Sequence, residues 1–358
     1  MSELDKAMAA INKKLGRTVV TRLTEDFVPH VNVFNTGSLT LDLAIGRGGY
    51  PRGRIVEIFG EESSGKTTLC LLAIAEMQKL NEGACVFVDY EHTFDAQLAA
   101  AYGVDVEKLI YIDPKTAEEG IDVTEALVRT GEVRLVVKDS VSAMVPAKIA
   151  DSSIEQQTMG LLARFMSTVC QKLTGPAYAN DCTIVFINQV REKIGAYSPV
   201  PGQAAITTSG GRALPFYSTI RLHIKRKDRL KAPDGTPIGQ KILARVIKNK
   251  IGVPNKEALF DLYYNVGVDK VDEIAQIAVL AGIIKKGGAW LRFEEPNGEV
   301  RVVGDVEYKW QGNAKYLEFL QNNPMFVMEL EDRIRGREVE APEARIEEGE
   351  GAVDENAY

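Results

Sequence analysis

Residues 60–67 read Gly60-Glu61-Glu62-Ser63-Ser64-Gly65-Lys66-Thr67, with glycine, lysine and hydroxyl at the spacing GxxxxGK[ST]. An apolar run, RIVEIF, precedes this stretch, and the helical pattern TTLCLLAIAEMQKL, which begins Thr67-Thr68, follows it. A glycine-rich turn between a strand and a helix can wrap its backbone N–H groups around phosphates at the positive end of the helix. Lys66 would reach the β- and γ-phosphates, and the Thr67 hydroxyl would ligate Mg²⁺. The chemistry expected is that of a nucleoside triphosphate.

Three further strand ends carry groups suited to the same chemistry. The run Arg134–Lys138 ends in Asp139-Ser140, and an acid at the carboxyl end of an apolar strand is what a magnesium ion on the phosphates needs. CVFVDYEH brings Asp89 and Glu91 to the end of a second strand. A carboxylate there can orient and activate an attacking water, whereas an acid at Asp89 also reads as a helix N-cap. TIVFINQ ends in Asn188-Gln189, an uncharged pair that can sense a γ-phosphate without acting as a base. Lys138 breaks the apolar run just before Asp139, which implies either a cavity edge or a shifted register.

These residues need a scaffold. Ile55–Phe59, Ala84–Asp89, Arg134–Asp139, Thr183–Asn188, Ser218–Ile224 and Ile242–Ile247 read as strands, with helices at 66–80, 117–130 and 158–174. The alternation predicts an α/β fold, a mostly parallel sheet flanked by helices. Residues 1–31 form an N-terminal arm with a helix carrying Leu4, Met8, Ile11 and Leu15. The core is expected over 32–269, a small α/β domain over 270–335 and a disordered acidic tail over 336–358. At 358 residues and 45% hydrophobic, the chain is neither wholly disordered nor, lacking a long apolar run, membrane-spanning. The polar start is not a secretory signal. Cys70, Cys85, Cys170 and Cys182 are too scattered for a zinc site and fit buried, reduced thiols in the cytoplasm. From Glu338 to Tyr358 eight acids face one base, which accounts for the whole net charge of −7. The segments Arg221–Lys231 and Lys241–Lys250 are strongly basic, so an acidic tail accompanies an anion-attracting surface.

Gly37-Ser-Leu-Thr-Leu-Asp42, RGRIVEIFGEESSGKTTL, VDYEHTFD, KDSVSAMVP, MGLLARFMS, FINQVREKIG and VIKNKIGVP occur in that order. In this combination the chain resembles the bacterial-type RecA recombinases from about residue 1 to residue 335. The resemblance implies a RecA-type P-loop ATPase core and a helical homo-oligomeric filament on single-stranded DNA. ATP would lie between subunits with Mg²⁺, and pairing and strand exchange with duplex DNA would serve recombination, repair and the SOS response. It makes Glu91 the catalytic carboxylate, Gln189 the γ-phosphate sensor, and Lys248 and Lys250 the cations that enter a neighbour's ATP site. Two loops, Lys148–Met159 and Gly195–Gly211, resemble the DNA-contacting loops. Met159, Gly160, Arg164, Ser209, Gly210, Gly211 and Arg212 are then the candidate DNA contacts, made to phosphate and so indifferent to base sequence. Repressor or mediator proteins are further partners implied in this way; a membrane is not.

Three positions depart from the family pattern. Leu98 stands where a tyrosine often stacks on adenine, with Tyr102 one turn on as a substitute. Pro215 stands where a lysine is usual, and Lys138 is the third. Such departures fit a divergent or phage-borne member. Two alternatives share the core: a ring ATPase or helicase, and a DNA-binding filament without turnover. Glu91, Lys66 and Asp139 together weigh against the second. By competing for cationic surface, the tail is expected to restrain binding of duplex DNA.

Overall fold

Every residue of strand β1 (Ile55–Gly60) is buried, because both faces of the sheet that holds it are covered. The computed structural model describes residues 2–23, 31–150, 160–192 and 206–336. Within it β1 joins β2 (Ala84–Asp89), β3 (Leu109–Ile112), β4 (Val133–Asp139), β5 (Thr183–Glu192), β6 (Ile206–Thr208), β7 (Ile220–Lys231), β8 (Pro237–Asn249) and β9 (Glu257–Tyr263) in one nine-stranded sheet. The spatial order is β9-β8-β7-β1-β5-β4-β2-β3, with β6 on the end of β5. All neighbours from β7 to β3 run parallel. The edge β7-β8-β9 is antiparallel. Only residues 232–236 separate β7 from β8, too few for a crossover helix, so that pair must form a hairpin.

Alternation along these apolar runs divides the core in two. Val56, Ile58, Phe87, Val137 and Ile187 point to one face, where helix α1 (Lys66–Lys79) adds Leu69, Ile74 and Met77. Ile55, Val88, Val136, Ile184 and Phe186 point to the other, against α2 (Ala117–Arg129) and α3 (Leu161–Ala179). Each fully buried Leu, Ile or Met contributes about 1.5–3 kcal/mol relative to exposure. The four thiols are all buried.

Lys138 follows the same alternation. It meets neither a cavity edge nor a register shift; the one irregularity between β2 and β4 lies at Ala84/Cys85, far from it. Its side chain points to the α2 face, fully buried, and Nζ donates to Gly120 O at 3.2 Å and Thr124 Oγ1 at 2.7 Å. Burial pushes this lysine down to about 7.

Residues 270–335 gather round a third buried cluster, in which Trp310, Phe293, Phe326 and Leu330 are joined by Leu39 of the preceding part of the chain. The segment holds helices Lys270–Leu280, Gly312–Asn322 and Pro324–Arg335 and a three-stranded sheet. Glu273 fastens it to the main sheet domain by accepting from Ser38 Oγ (2.6 Å), Leu39 N (2.7 Å) and Thr40 N (3.1 Å). These groups open the helix Leu39–Ile45, whose free N–H groups need acceptors. The N-terminal helix, Glu3–Leu15, is set by a Ser2–Asp5 capping box and stopped by left-handed Gly16, and none of its residues is buried. No helix among the described residues is long and apolar enough to cross a membrane. The acidic tail falls outside the described residues.

Candidate active site

The carboxyl ends of four parallel strands meet at one edge, the usual location for a ligand in an open α/β sheet. Gly60 is paired in register with Gln189, and Asp89 with Asp139. Gly60 has no substitute there, since a Cβ would lie 2.2 Å from the Ile224 carbonyl oxygen. The loop then turns through left-handed Ser63 and Gly65 into α1. Glu61, Glu62 and Ser63 form its exposed rim. Ser64 is buried, and its hydroxyl has no protein partner.

Lys66 and Thr67 open α1 on the side facing β4. Lys66 Nζ donates to Glu61 O at 2.6 Å, and the Thr67 hydroxyl donates to Asp139 Oδ2 at 2.6 Å. Thr68 is half-buried one residue on. Burial holds Lys66 below the usual lysine range, against the pull of Asp139 and Glu91. Burial pushes Asp139 up to about 6; the Thr67 hydrogen bond opposes this, and the Glu91 and Asp89 carboxylates reinforce it. The Thr67 hydroxyl and the Asp139 carboxylate thus lie side by side as hard oxygen donors, and no group of three or more acidic, histidine or cysteine ligands forms among the described residues.

Glu91 stands next to this pair. Its Oε1 accepts from the Ser140 hydroxyl and, at 3.5 Å, from Gln189 Nε2. The sequence separates these three residues by 49 and 98 positions, yet the sheet brings them together. Asp89 is a structural acid, though not a helix N-cap. It accepts from the N–H groups of Glu91 (3.0 Å), Thr93 (2.9 Å) and Phe94 (2.9 Å), and so shapes the turn that presents Glu91. Asp95 caps the following helix, Ala96–Ala101.

Lys248 and Lys250 are not part of this cluster. Lys248 pairs with Arg221, which in turn pairs with Glu57, three residues upstream of Gly60. Lys250 shares a cleft of about 510 Å³ with Arg54, Ile55, Tyr178 and Phe216, at the start of β1 rather than its end. Lys248 Nζ donates to Pro215 O (2.6 Å) and Phe216 O (2.9 Å), and Lys250 Nζ to Phe216 O (3.3 Å). Burial, helped by Lys250 and Arg221, pushes Lys248 down to about 8.

The loop residues meet beside this cluster, where Asn188 Nδ2 donates to Ser209 O at 3.0 Å. Gly160 caps α3 in a left-handed conformation, and Arg164 is exposed in the first turn. Gly211 lies against Ala163, and Gly210 against Met166. Gly211 and Arg212 are exposed, but Ser209 and Gly210 are buried. Ser209 is held by Arg191 Nε at 3.0 Å and Ser142 Oγ at 3.3 Å. Met159 and most of both loops fall outside the described residues. Tyr102 does not replace an adenine-stacking ring: it is buried in the core, while Leu98 is partly exposed.

One buried acid was not expected from the sequence and lies outside the cluster. Glu57 is fully buried in the middle of β1, bonded to Arg221 Nε and, at 3.0 Å, to Asn188 Nδ2. Its signal in the sequence was a lone charge inside the apolar run RIVEIF.

Comparison with known proteins gives a consistent result. The model of the RecA N-terminal domain matches residues 2–269. The chain is 39% identical over 335 residues to Protein RecA of Clostridium perfringens (strain 13), covering 94% of this chain and 90% of that one. It is 40% identical over 335 residues to Protein RecA of Clostridium botulinum (strain Alaska E43), covering 94% and 89%.

Proposed function

Because the chain belongs to the RecA family, we propose that the strand-end cluster is an ATP site completed by Lys248 and Lys250 of a second copy, and that DNA governs its turnover. The function is that of a recombinase in recombination and repair, and the enzymatic activity is DNA-dependent ATP hydrolysis. The match extends beyond the shared core into the C-terminal segment, which weighs against the ring ATPase, and the relatives' naming weighs against a filament without turnover.

The observation that carries the site assignment is the convergence of Lys66, Thr67, Asp139, Ser140, Glu91 and Gln189 on one sheet edge. The loop from Gly60 to Thr68 would hold the phosphates, with the unpartnered Ser64 hydroxyl among its donors. Mg²⁺, held through Thr67 and Asp139, would supply charge neutralisation at the phosphate oxygens. Glu91 would take a proton from an attacking water, oriented by its contacts to Ser140 and Gln189. Gln189 leads into the 193–205 segment, so a contact from its amide to a γ-phosphate would be felt there. Lys248 and Lys250, remote from their own cluster, fit cations delivered across a subunit junction, as an arginine finger is. The exposed apolar face of the N-terminal helix suits a filament contact with a neighbouring copy.

Arg164, Gly211 and Arg212 form the described part of the proposed single-strand interface, with Gly160 and Gly210 shaping it and Met159 belonging to the same loop. Duplex DNA, filament growth, repressor or mediator partners and a cytoplasmic location belong to the same reading. The test is steady-state ATP hydrolysis alone, with single-stranded DNA and with linear duplex at fixed salt. Strong stimulation by the single strand is expected; equal rates in all three overturn the reading.

A further inference from the structure

Glu57 touches neither the phosphate loop nor the Glu91 cluster, and the hydrolytic chemistry has no use for it. A fully buried carboxylate is costly unless paired and hydrogen-bonded, so its two partners are tightly required. Those partners lead in different directions.

One partner is Asn188. Its Nδ2 donates to Glu57 Oε1 and to Ser209 O, both at 3.0 Å, and its Oδ1 accepts from Gln189 N at 2.9 Å. Both amide hydrogens are therefore committed, and Asn188 cannot rotate without leaving a buried group unpaired. Displacing the Ser209 carbonyl at the end of the second loop would pull on Glu57 and on the backbone of Gln189 together.

The other partner is Arg221, whose Nε donates to Glu57 and whose guanidinium lies 4.7 Å from the Phe59 ring centroid. Arg221 is the register partner of Lys248 across β7 and β8. The Lys248 and Lys250 ammoniums rest on the carbonyls of Pro215 and Phe216, in the short helix Ala213–Tyr217 that continues directly from residues 206–212.

We propose that Glu57 is a positioning residue that couples DNA occupancy of the 206–212 segment to the placement of Lys248 and Lys250. This rests on the function proposed above and deepens it. Asn188 reports the loop to Glu57, Glu57 holds Arg221, and Arg221 fixes the strand from which Lys248 projects. The test measures the coupling itself.

The experiment uses the full chain and compares Glu57→Gln, Arg221→Gln and the double variant. For each, kcat and KM for ATP are measured with and without single-stranded DNA, and DNA affinity is measured by anisotropy. In Glu57→Gln the ratio of DNA-stimulated to DNA-free kcat is expected to fall about tenfold, with KM and DNA affinity within about twofold of the parent. A merely structural role would lower both rates in parallel and leave the ratio intact, which overturns the proposal. Should Glu57→Gln fail to fold, Arg221→Gln carries the same expectation from the more solvent-accessible end of the pair. The double variant is expected to match the more affected single variant, because both interrupt one connection; losses that multiply overturn the proposal. A parent chain without DNA stimulation defeats the functional reading itself, and that failure is visible before any variant is made.

Discussion

Gly211 sits against Ala163 so closely that a Cβ on Gly211 would fall 2.7 Å from the alanine Cβ, and its φ of +74° belongs to the left-handed region. The two loop segments proposed to hold DNA are thus joined backbone to helix at their described ends. Gly211→Ala must both strain the backbone and push the segment off α3. Single-strand affinity is expected to fall at least about fivefold, a loss of about 1 kcal/mol. An anisotropy titration superimposable on the parent's would show that this junction does not support the interface.

Glu91 accepts the Ser140 hydroxyl and the Gln189 amide, so a glutamine at 91 can keep much of the geometry while losing the base. Glu91→Gln is expected to lower kcat about 10²- to 10⁴-fold and leave nucleotide affinity within a few-fold. Hydrolysis at the parent rate would remove Glu91 from its role.

The separation of Lys248 from its own phosphate loop leads to a mixing experiment. Lys248→Ala and Glu91→Gln chains are each expected to be nearly inactive. In a mixed assembly some junctions pair an intact Glu91 site with an intact Lys248 from the adjoining chain, and these should hydrolyse ATP. Activity restored on mixing supports delivery in trans; a mixture no better than either component alone argues that Lys248 acts within its own chain.

His223 stacks on Phe59 with ring centroids 4.9 Å apart. Burial, with Lys225, Arg245 and Arg221 around it, pushes the imidazole down to about 4 from the usual 6.5. Between those values the unfolded chain binds a proton that the folded chain refuses, so stability rises with pH across that window. The contribution is fully present above pH 6.5 and is lost as pH falls toward 4, about 3 kcal/mol at most. His223→Phe should flatten the acid limb of a stability–pH profile from denaturant melts. An acid limb equally steep in the variant would assign that proton uptake to other groups.

What could be read in the sequence was what is local. The phosphate loop, its strand and its helix are contiguous, and their pattern has one physical solution. The strands read at 55–59, 84–89 and 134–139 were legible because each is mostly apolar, with Glu57 and Lys138 as single interruptions. Strand β3 was missed: four residues, only part-buried, carry too little pattern. β9 was missed despite an alternating Ala258, Phe260 and Leu262, because it pairs antiparallel at an edge instead of following a helix. The meeting of Glu91, Ser140 and Gln189 depends on sheet order and register, which spacing does not encode. Lys138 looked anomalous only as long as its neighbour set the standard; adjacent residues in a strand face opposite sides, and its partners are carried by α2. Tyr102, one turn beyond Leu98, was open to a surface role in the sequence and is committed to the core in three dimensions.

The four buried cysteines also make the molecule its own reporter of opening. Cys70 and Cys85 lie in the core cluster on one face of the sheet, and Cys170 and Cys182 in the cluster on the other. Burial pushes all four thiols above their usual range, so little reactive thiolate exists while the chain is closed. Alkylation at each position therefore times the breathing of its own face. Peptide mapping of a labelling time course would rank the two faces by how readily they part, with no probe added to the chain.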